Sequence, residues 1–308
     1  MHPVPHFISL HDLSPATLAQ LILRAGELKQ MQQQGEIYEP LKNRTLAMVF
    51  EKASTRTRVS FEAAMTQLGG HAIFLSPQDT QLGRGEPLED AARVLSRMVD
   101  AVMVRTFSHS GLQRFAEFSD VPVINALTDT LHPCQLLADM QTFQELRGAI
   151  AGKTVAWIGD GNNMCNSYIE AALQFNFNLK IATPKGYEPN VNLVTAALRA
   201  RPGSVTLSHS PQEAVSNADL VSTDVWASMG QESQRQQRLL DFKGYMVDEA
   251  LMTLANPEAL FLHCLPAHRG EEVSHGLMAC DNTAIWQQAG NRLHTQKALL
   301  EYLLVLAA

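Results

Sequence analysis

Short apolar runs alternate along this chain with longer stretches in which apolar residues recur at helical spacing. The runs have the length of buried strands, and they lie at 46–50, 71–75, 101–105, 121–125, 154–158, 179–182, 205–207, 220–223 and 261–263. The helical stretches include 15–33, 88–98, 133–147, 164–175, 191–200 and 283–304. Strands that alternate with helices predict parallel sheets covered by helices on both faces. We therefore expect an α/β protein with two doubly wound parallel-sheet domains.

The glycines at 148 and 152 separate two such alternations, so this stretch is the predicted domain boundary. We expect one domain over 1–147, joined by the C-terminal helix at about 291–308, and a second over 148–290. A chain of 308 residues is long enough for two domains, each with its own core.

Composition excludes several classes of protein. The formal net charge of −7 argues against a nucleic-acid-binding protein, which carries a basic excess. No uncharged apolar run approaches the roughly 20 residues needed to span a bilayer, and no signal peptide is recognised. The four cysteines form no C-x-x-C pair, which favours reduced thiols. We expect a soluble cytoplasmic protein.

The polar turn Ser54-Thr55-Arg56-Thr57-Arg58 lies between a predicted strand and a predicted helix. Free backbone N–H groups at a helix N-terminus bind anions, and arginine forks match phosphate oxygens. The turn therefore fits a phosphate site. Read alone, the turn also has a plain structural explanation, in which Ser54 caps the helix and the arginines are solvated.

Other polar groups follow predicted strands, where the ligands of parallel sheets bind. Arg105 ends a strand, and His132-Pro133-Cys134-Gln135 opens a long helix after the next one. The polar loop from 76 to 87 is either functional or an ordinary surface connection. Asp224 follows the strand at 220–223, and His263-Cys264 ends the last strand. Each has a plain structural explanation when taken alone.

Two cofactor hypotheses are weak. The turn at 159–163 lies between a strand and a helix, but Met164 stands where a dinucleotide fingerprint needs a third glycine. His132, Cys134, His263 and Cys264 match no common zinc spacing, and no carboxylate cluster joins them in the sequence. We expect no metal and no cofactor.

Taken together, these segments resemble the carbamoyltransferase family in order and spacing. Ser-Thr-Arg-Thr-Arg at 54–58 and His-Pro-x-Gln at 132–135 resemble elements of the whole family. Ser-Met-Gly at 228–230 and His-Cys-Leu-Pro at 263–266 resemble its ornithine-specific branch. Aspartate-specific members carry a lysine in the loop matching 76–87, and this chain has none there.

The resemblance implies transfer of a carbamoyl group from carbamoyl phosphate to the δ-amine of L-ornithine, giving L-citrulline and phosphate, in arginine biosynthesis. It also implies an active site in the cleft between the two domains and a homotrimer with sites at subunit interfaces. The implied carbamoyl phosphate ligands are Ser54, Thr55, Arg56, Thr57, Gln81, Arg105, His132, Gln135, Cys264, Leu265 and Arg292. Of these, Arg56, Arg105, His132, Gln135 and Cys264 are the implied catalytic residues, and Gln81 is the residue that reaches a neighbouring subunit. The implied ornithine ligands are Asn163, Asp224, Ser228 and Met229.

Two alternatives stay open at this point. A related transferase would use another amine, such as putrescine or an N-acylated ornithine. A non-catalytic protein would bind a phosphate ligand on the same fold and leave Cys264 without a role.

Overall fold

The computed structural model describes residues 4–76, 85–227 and 232–307. The chain divides into two compact units, Met1–Gln141 with Gly290–Ala308 and Thr142–Ala289. Each unit builds its own parallel sheet, which confirms the predicted fold class.

The first unit contains a four-stranded sheet in the order β2-β1-β3-β4, with every described pair parallel. The order reverses between β1 and β3, which makes that position the topological switch point. The strands are β1 (Thr45–Phe50), β2 (His71–Leu75), β3 (Ala101–Arg105) and β4 (Val123–Leu127). The helices are α1 (Pro15–Gln33), α2 (Thr55–Gln67), α3 (Leu88–Leu95), α4 (His109–Glu117), the first part of α5 (Pro133–Arg147) and the last part of α11 (Ile285–Glu301).

The second unit contains a five-stranded parallel sheet in the order β7-β6-β5-β8-β9, and its order reverses between β5 and β8. Its strands are β5 (Thr154–Ile158), β6 (Asn178–Ala182), β7 (Val205–Ser208), β8 (Leu220–Thr223) and β9 (Leu260–His263). Its remaining helices are α6 (Asn163–Gln174), α7 (Val191–Ala200), α8 (Pro211–Val215), α9 (Arg235–Asp241) and α10 (Glu249–Met252).

Three predicted elements differ from the structure by two residues or more at one end or at both. Strand β4 lies at Val123–Leu127, two residues later than predicted, because Pro122 has no N–H to donate to the ladder. Helix α3 ends at Leu95 rather than at 98, where Ser96 turns its hydroxyl back onto the carbonyl of Ala92. The C-terminal helix begins at Ile285 and its last turn, Tyr302–Leu306, is a π-helix.

Apolar packing explains why the elements hold together. In the first unit, Val102 and Val104 of β3 are buried with Leu112 and Phe115 of α4. In the second unit a larger buried cluster surrounds Phe261 of β9. The N-terminal segment adds to the first sheet: Phe7 N–H donates to the Val123 carbonyl at 2.8 Å, which covers the outer edge of β4.

Within the described ranges, no helix combines the length and apolarity that crossing a membrane requires.

Candidate active site

A four-residue turn, 51–54, connects the carboxyl end of β1 to helix α2, and its last residue, Ser54, caps the helix. Its backbone is extended, with φ −161° and ψ 110°, and its Oγ accepts the Thr57 N–H at 3.3 Å. The capping explanation of the sequence is therefore confirmed. It does not compete with anion binding, because the Ser54 hydroxyl still has its own proton to donate. The first N–H groups of α2 also point out of the helix, where its dipole favours negative charge.

Three guanidinium groups gather around this helix end, and we call them the arginine cluster: Arg56, Arg105 and Arg292. Arg105 ends β3 next to β1 and is 6% exposed. Arg292 comes from α11, is 3% exposed, and donates to the Thr57 hydroxyl at 2.8 Å. Positive charges held close together repel one another, and an anionic ligand relieves that repulsion, so the arginine cluster favours an anion.

His132 lies among these arginines and is itself buried. Burial, and then the positive charges of Arg292, Arg105 and Arg56, hold the pKa of His132 well below its usual value. The imidazole is therefore neutral at physiological pH, with one N–H to donate and one nitrogen to accept.

Gln135 is fully buried one turn into α5, and its amide orientation follows from its partner. The Nε2 group donates to Asp139 Oδ1 at 2.9 Å, so the amide oxygen faces the other way. Within the described part of the chain, that buried oxygen has no hydrogen-bond donor. It is suited to accept an N–H from a ligand.

The structure also assigns a supporting role to Lys52, which the sequence analysis did not single out. Lys52 is 7% exposed, pairs with Asp129 in the loop after β4, and lies 3.8 Å from the ring centroid of Phe107. A backbone hydrogen bond, in which the Glu51 N–H donates to the Arg105 carbonyl at 2.8 Å, joins the ends of β1 and β3. The loops after β1, β3 and β4 are thus tied together at the carboxyl edge of the sheet.

The second unit presents a carboxylate at its own switch point. Asp224 follows β8 and is 7% exposed. Its Oδ1 accepts from the Val225 N–H at 2.8 Å and from the Cys264 thiol at 3.1 Å, and its Oδ2 accepts from Asn162 Nδ2 at 2.8 Å. We call Asn162, Asp224 and Cys264 the Asp224 site. A carboxylate held in this way suits a cationic ligand group.

The turn after β5 carries Asn162 and Asn163 but is closed to a dinucleotide. A Cβ on Gly161 would lie 2.3 Å from Pro189 N and 2.4 Å from the carbonyl carbon of Glu188. The segment after β6 therefore packs directly onto the turn, in the space where a pyrophosphate crosses a nucleotide-binding turn. This agrees with the missing third glycine.

A buried ion pair braces the same turn. Arg238 of α9 donates through Nη1 to Asp160 Oδ2 at 2.8 Å and to the Trp226 carbonyl at 2.6 Å. Both side chains are 7% exposed. Asp160 lies two residues before Asn162, and Trp226 lies two residues after Asp224, so Arg238 ties together the two loops that carry the Asp224 site.

Buried groups also fix the backbone after β9. Glu272 Oε1 accepts from His263 Nε2 at 3.1 Å, and His263 Nδ1 accepts the Leu265 N–H at 2.9 Å. Leu265 has a φ of +59°, a conformation that a branched side chain rarely adopts. The His263–Glu272 pair therefore holds the Cys264–Leu265 peptide in place.

The sequence analysis expects no carboxylate cluster beside the histidines and cysteines, and within the described residues a single carboxylate, that of Asp224, lies near both His263 and Cys264. A carboxylate oxygen of Asp224 lies within 4.8 Å of ligand atoms of both residues, because β8 and β9 are neighbours in the sheet. Both ring nitrogens of His263 are nevertheless used in hydrogen bonds, so the imidazole is held as a structural group rather than offered to a metal.

The structure brings the remaining predicted residues to the same loops. Thr55 and Arg56 open α2, and Asn163 opens α6. The predicted site residues Gln81, Ser228 and Met229 lie outside the described residues. The sequence analysis missed Asn162, because its predicted helix begins at 164 and the helix-cap rule then points to Asn163, whereas the helix begins at Asn163 and Asn162 is its cap.

This arrangement defines an α/β protein with an anion site on one parallel sheet and a carboxylate–thiol site on another. The chain belongs to the aspartate/ornithine carbamoyltransferase family. Its residues 5–145 match the family's carbamoyl-P binding domain, and residues 151–303 match its Asp/Orn binding domain.

Several relatives are similar over nearly the whole chain. Ornithine carbamoyltransferase of Hydrogenovibrio crunogenus is 60% identical, with 99% of each chain covered. Anabolic ornithine carbamoyltransferase of Pseudomonas aeruginosa is 62% identical, covering 98% of this chain and 97% of the relative. The crystal structure of ornithine carbamoyltransferase from Burkholderia thailandensis superposes with a TM-score of 0.91 at 51% identity, covering 98% of this chain and 99% of that one.

Replacement of Arg238 by methionine is expected to destabilise the second unit in a pH-dependent way. Burial raises the pKa of Asp160 to about 6, and the Arg238 charge opposes that rise. Without Arg238 the pKa of Asp160 rises further. At pH 7.5 the carboxylate must then either stay ionised without its partner in a buried position or take up a proton, and both cost free energy. We expect Arg238→Met to cost about 3–5 kcal/mol of unfolding free energy at pH 7.5 and less at pH 5, where Asp160 takes up a proton.

Denaturant unfolding at the two pH values measures this effect. Arg235→Met is the matched control, because Arg235 lies on the same helix but pairs with Glu271 at the surface, and its loss is expected to cost less than about 1 kcal/mol. Adding Asp160→Asn to Arg238→Met should restore stability at pH 7.5. A deficit that does not change with pH would contradict the assignment.

Proposed function

We propose that this chain is an ornithine carbamoyltransferase that works in the anabolic direction, transferring the carbamoyl group of carbamoyl phosphate to the δ-amine of L-ornithine. The observation that carries the proposal is the arginine cluster around a neutral, buried His132 at the N-terminus of α2. The relatives named ornithine carbamoyltransferase, one of them anabolic, support it at 60–62% identity.

In this proposal the phosphate group lies at the start of α2. Backbone N–H groups of the first turn, hydroxyls and guanidinium groups surround it. The ligands are Ser54, Thr55, Arg56 and Thr57, with Arg292 beside Thr57. Gln81 joins them from a neighbouring subunit. Because phosphate is the leaving group, these residues stabilise charge that grows during the reaction as well as charge already bound.

The carbamoyl group needs donors for its oxygen and acceptors for its amide hydrogens. Arg105 and the N–H of His132 are the donors, and they stabilise the negative charge that attack places on the carbamoyl oxygen. The amide oxygen of Gln135, which faces away from Asp139, accepts an N–H of the carbamoyl group. Cys264 and Leu265 complete the contacts with this group.

Ornithine differs from simple diamines by its α-ammonium and carboxylate groups. Asp224 supplies the negative charge that pairs with the α-ammonium, as its buried, fully oriented carboxylate suits a cation. The other ligands of the amino-acid group are Asn163, Ser228 and Met229.

The attacking δ-amine must be neutral, whereas a free alkylamine has a pKa of about 10. The Cys264 thiol donates its proton to Asp224 Oδ1 at 3.1 Å, which leaves the sulfur lone pairs able to accept an N–H of the amine. The N–C bond then forms, the C–O bond to phosphate breaks, and the proton that the amine nitrogen loses passes to an oxygen of the leaving phosphate. Holding both substrates in position lowers the entropic part of the barrier.

We also propose that the protein is a cytoplasmic homotrimer. The four cysteines form no disulfide bond, as expected in a reducing compartment. In the first unit β2 is an edge strand whose Ile73 is 40% exposed, and Val59 of the adjoining α2 is 58% exposed. Exposed apolar residues beside a sheet edge support an interface there.

The substrate assignment is tested with purified protein, carbamoyl phosphate and, separately, L-ornithine, putrescine, N-acetylornithine and aspartate. We expect carbamoylation of ornithine at a kcat/KM at least about a hundredfold above the others, because they lack the α-ammonium or the δ-amine. Faster carbamoylation of putrescine or acetylornithine would reassign the substrate. Binding of carbamoyl phosphate with no product from any amine would indicate a non-catalytic protein.

Replacement of Arg56 tests the anion site. We expect Arg56→Gln to lower kcat/KM for carbamoyl phosphate by about 10²–10³ with the melting temperature unchanged, since a preorganised donor to developing charge is lost. Arg58→Gln is the matched control two residues along the same helix, because Arg58 pairs with Glu62 and stacks on Phe74. Equal losses in the two variants would remove the special role of Arg56.

Sedimentation equilibrium tests the assembly. We expect a mass of about three times the 33.9 kDa chain. Ile73→Lys should weaken the assembly, whereas Val191→Lys, on an exposed face of the second unit, should not. A stable single-chain mass for the unaltered protein would refute the trimer.

A further inference from the structure

Asn162 makes two different sets of hydrogen bonds at the switch point of the second sheet. Its Oδ1 accepts the backbone N–H groups of Met164 at 3.0 Å and Cys165 at 3.2 Å, so it caps helix α6. Its Nδ2 donates to Asp224 Oδ2 at 2.8 Å. One side chain therefore joins a helix N-terminus to the carboxylate of the Asp224 site.

The cap fixes which way the amide points. The two N–H groups of α6 require an oxygen acceptor, so the NH2 group of Asn162 must face the opposite side, toward Asp224. Serine, threonine and aspartate cap helices about as well as asparagine. None of them offers an acceptor to the helix and an amide donor to the carboxylate together. The cap alone therefore does not explain the choice of asparagine.

Asp224 depends on this donor because its two oxygens are held differently. Oδ1 has the Val225 N–H and the Cys264 thiol, whereas the donor to Oδ2 within the described residues is Asn162. Asp224 is 7% exposed, so solvent replaces a lost donor poorly. Without Asn162 the carboxylate would be held through Oδ1 alone, and Oδ2 would lose the donor that fixes its direction.

We propose that Asn162 is a positioning residue that holds the Asp224 carboxylate in the orientation that binds the cationic group of the amine substrate. This inference rests on the proposed function, since it takes Asp224 as the ornithine ligand. It assigns Asn162 no contact with the reacting atoms. The residue acts through Asp224.

The test is Asn162→Ser, which keeps a capping oxygen and removes the amide donor. We expect an unchanged melting temperature, an unchanged KM for carbamoyl phosphate, and a KM for ornithine raised about tenfold or more, the usual effect of losing a hydrogen bond to a charged group. The matched control is Asn190→Ser, because Asn190 caps α7 in the same unit from an exposed position. We expect this control to match the unaltered protein in all three measurements.

The two KM values separate positioning from a structural role. A structural defect in the second unit would be expected to lower the melting temperature, whereas loss of the donor to Asp224 Oδ2 acts on the amine site alone. We therefore expect the KM for ornithine to rise in Asn162→Ser while the KM for carbamoyl phosphate stays in place, and neither value to move in Asn190→Ser.

The outcomes are distinct. A melting temperature lowered in Asn162→Ser, with both KM values moved alike, would reduce Asn162 to a helix cap and overturn the proposal. An unchanged KM for ornithine in a folded variant would overturn it as well. If the unaltered protein forms no citrulline, the proposed function fails instead. Calorimetric titration with ornithine then still tells whether Asn162→Ser weakens binding at Asp224.

Discussion

The order of strands in each sheet is the constraint on which both candidate sites depend. Parallel strands carry their following loops at one edge, and the loops separate in opposite directions where the strand order reverses. In the first unit this happens between β1 and β3, and in the second between β5 and β8. The loops that open there carry Arg56 and Arg105 in one sheet and Asn162 and Asp224 in the other. The strand order alone therefore brings residues that are far apart in the sequence to the same edge of a sheet.

Charge then distinguishes the two sites. The arginine cluster places positive groups around an imidazole that burial and those charges keep neutral. A further cation there would be repelled by its neighbours, whereas an anion relieves the repulsion, so the electrostatics of the arginine cluster favour an anionic ligand. The Asp224 site has the opposite sign and its own set of donors. A group transfer from an anionic donor to an amine requires one positively charged site and one negatively charged site.

The sequence predicted the strands well because nearly all of them are short apolar runs with polar ends. It missed α8, α9 and α10, whose four to seven residues are too few to display a helical period. It missed Lys52, Arg238 and Glu272 for another reason. Each acts through a partner more than 30 residues away or through a buried histidine, and such contacts leave no local pattern. The site loops carried recognisable motifs, while their buried supports did not.

Both sites use a helix cap for a second purpose, and this makes capping and binding compatible. Ser54 accepts one N–H of α2 and keeps a proton to donate, while Asn162 accepts two N–H groups of α6 and keeps an amide to donate. An N-cap residue is held by the first turn of its helix, so its remaining donor is oriented at little further cost in conformational entropy. A side chain of the same kind in a free loop would have to be ordered by the ligand itself. Because each helix holds its cap residue in place, the cap presents a hydrogen-bond donor in a fixed orientation at the switch point of its sheet.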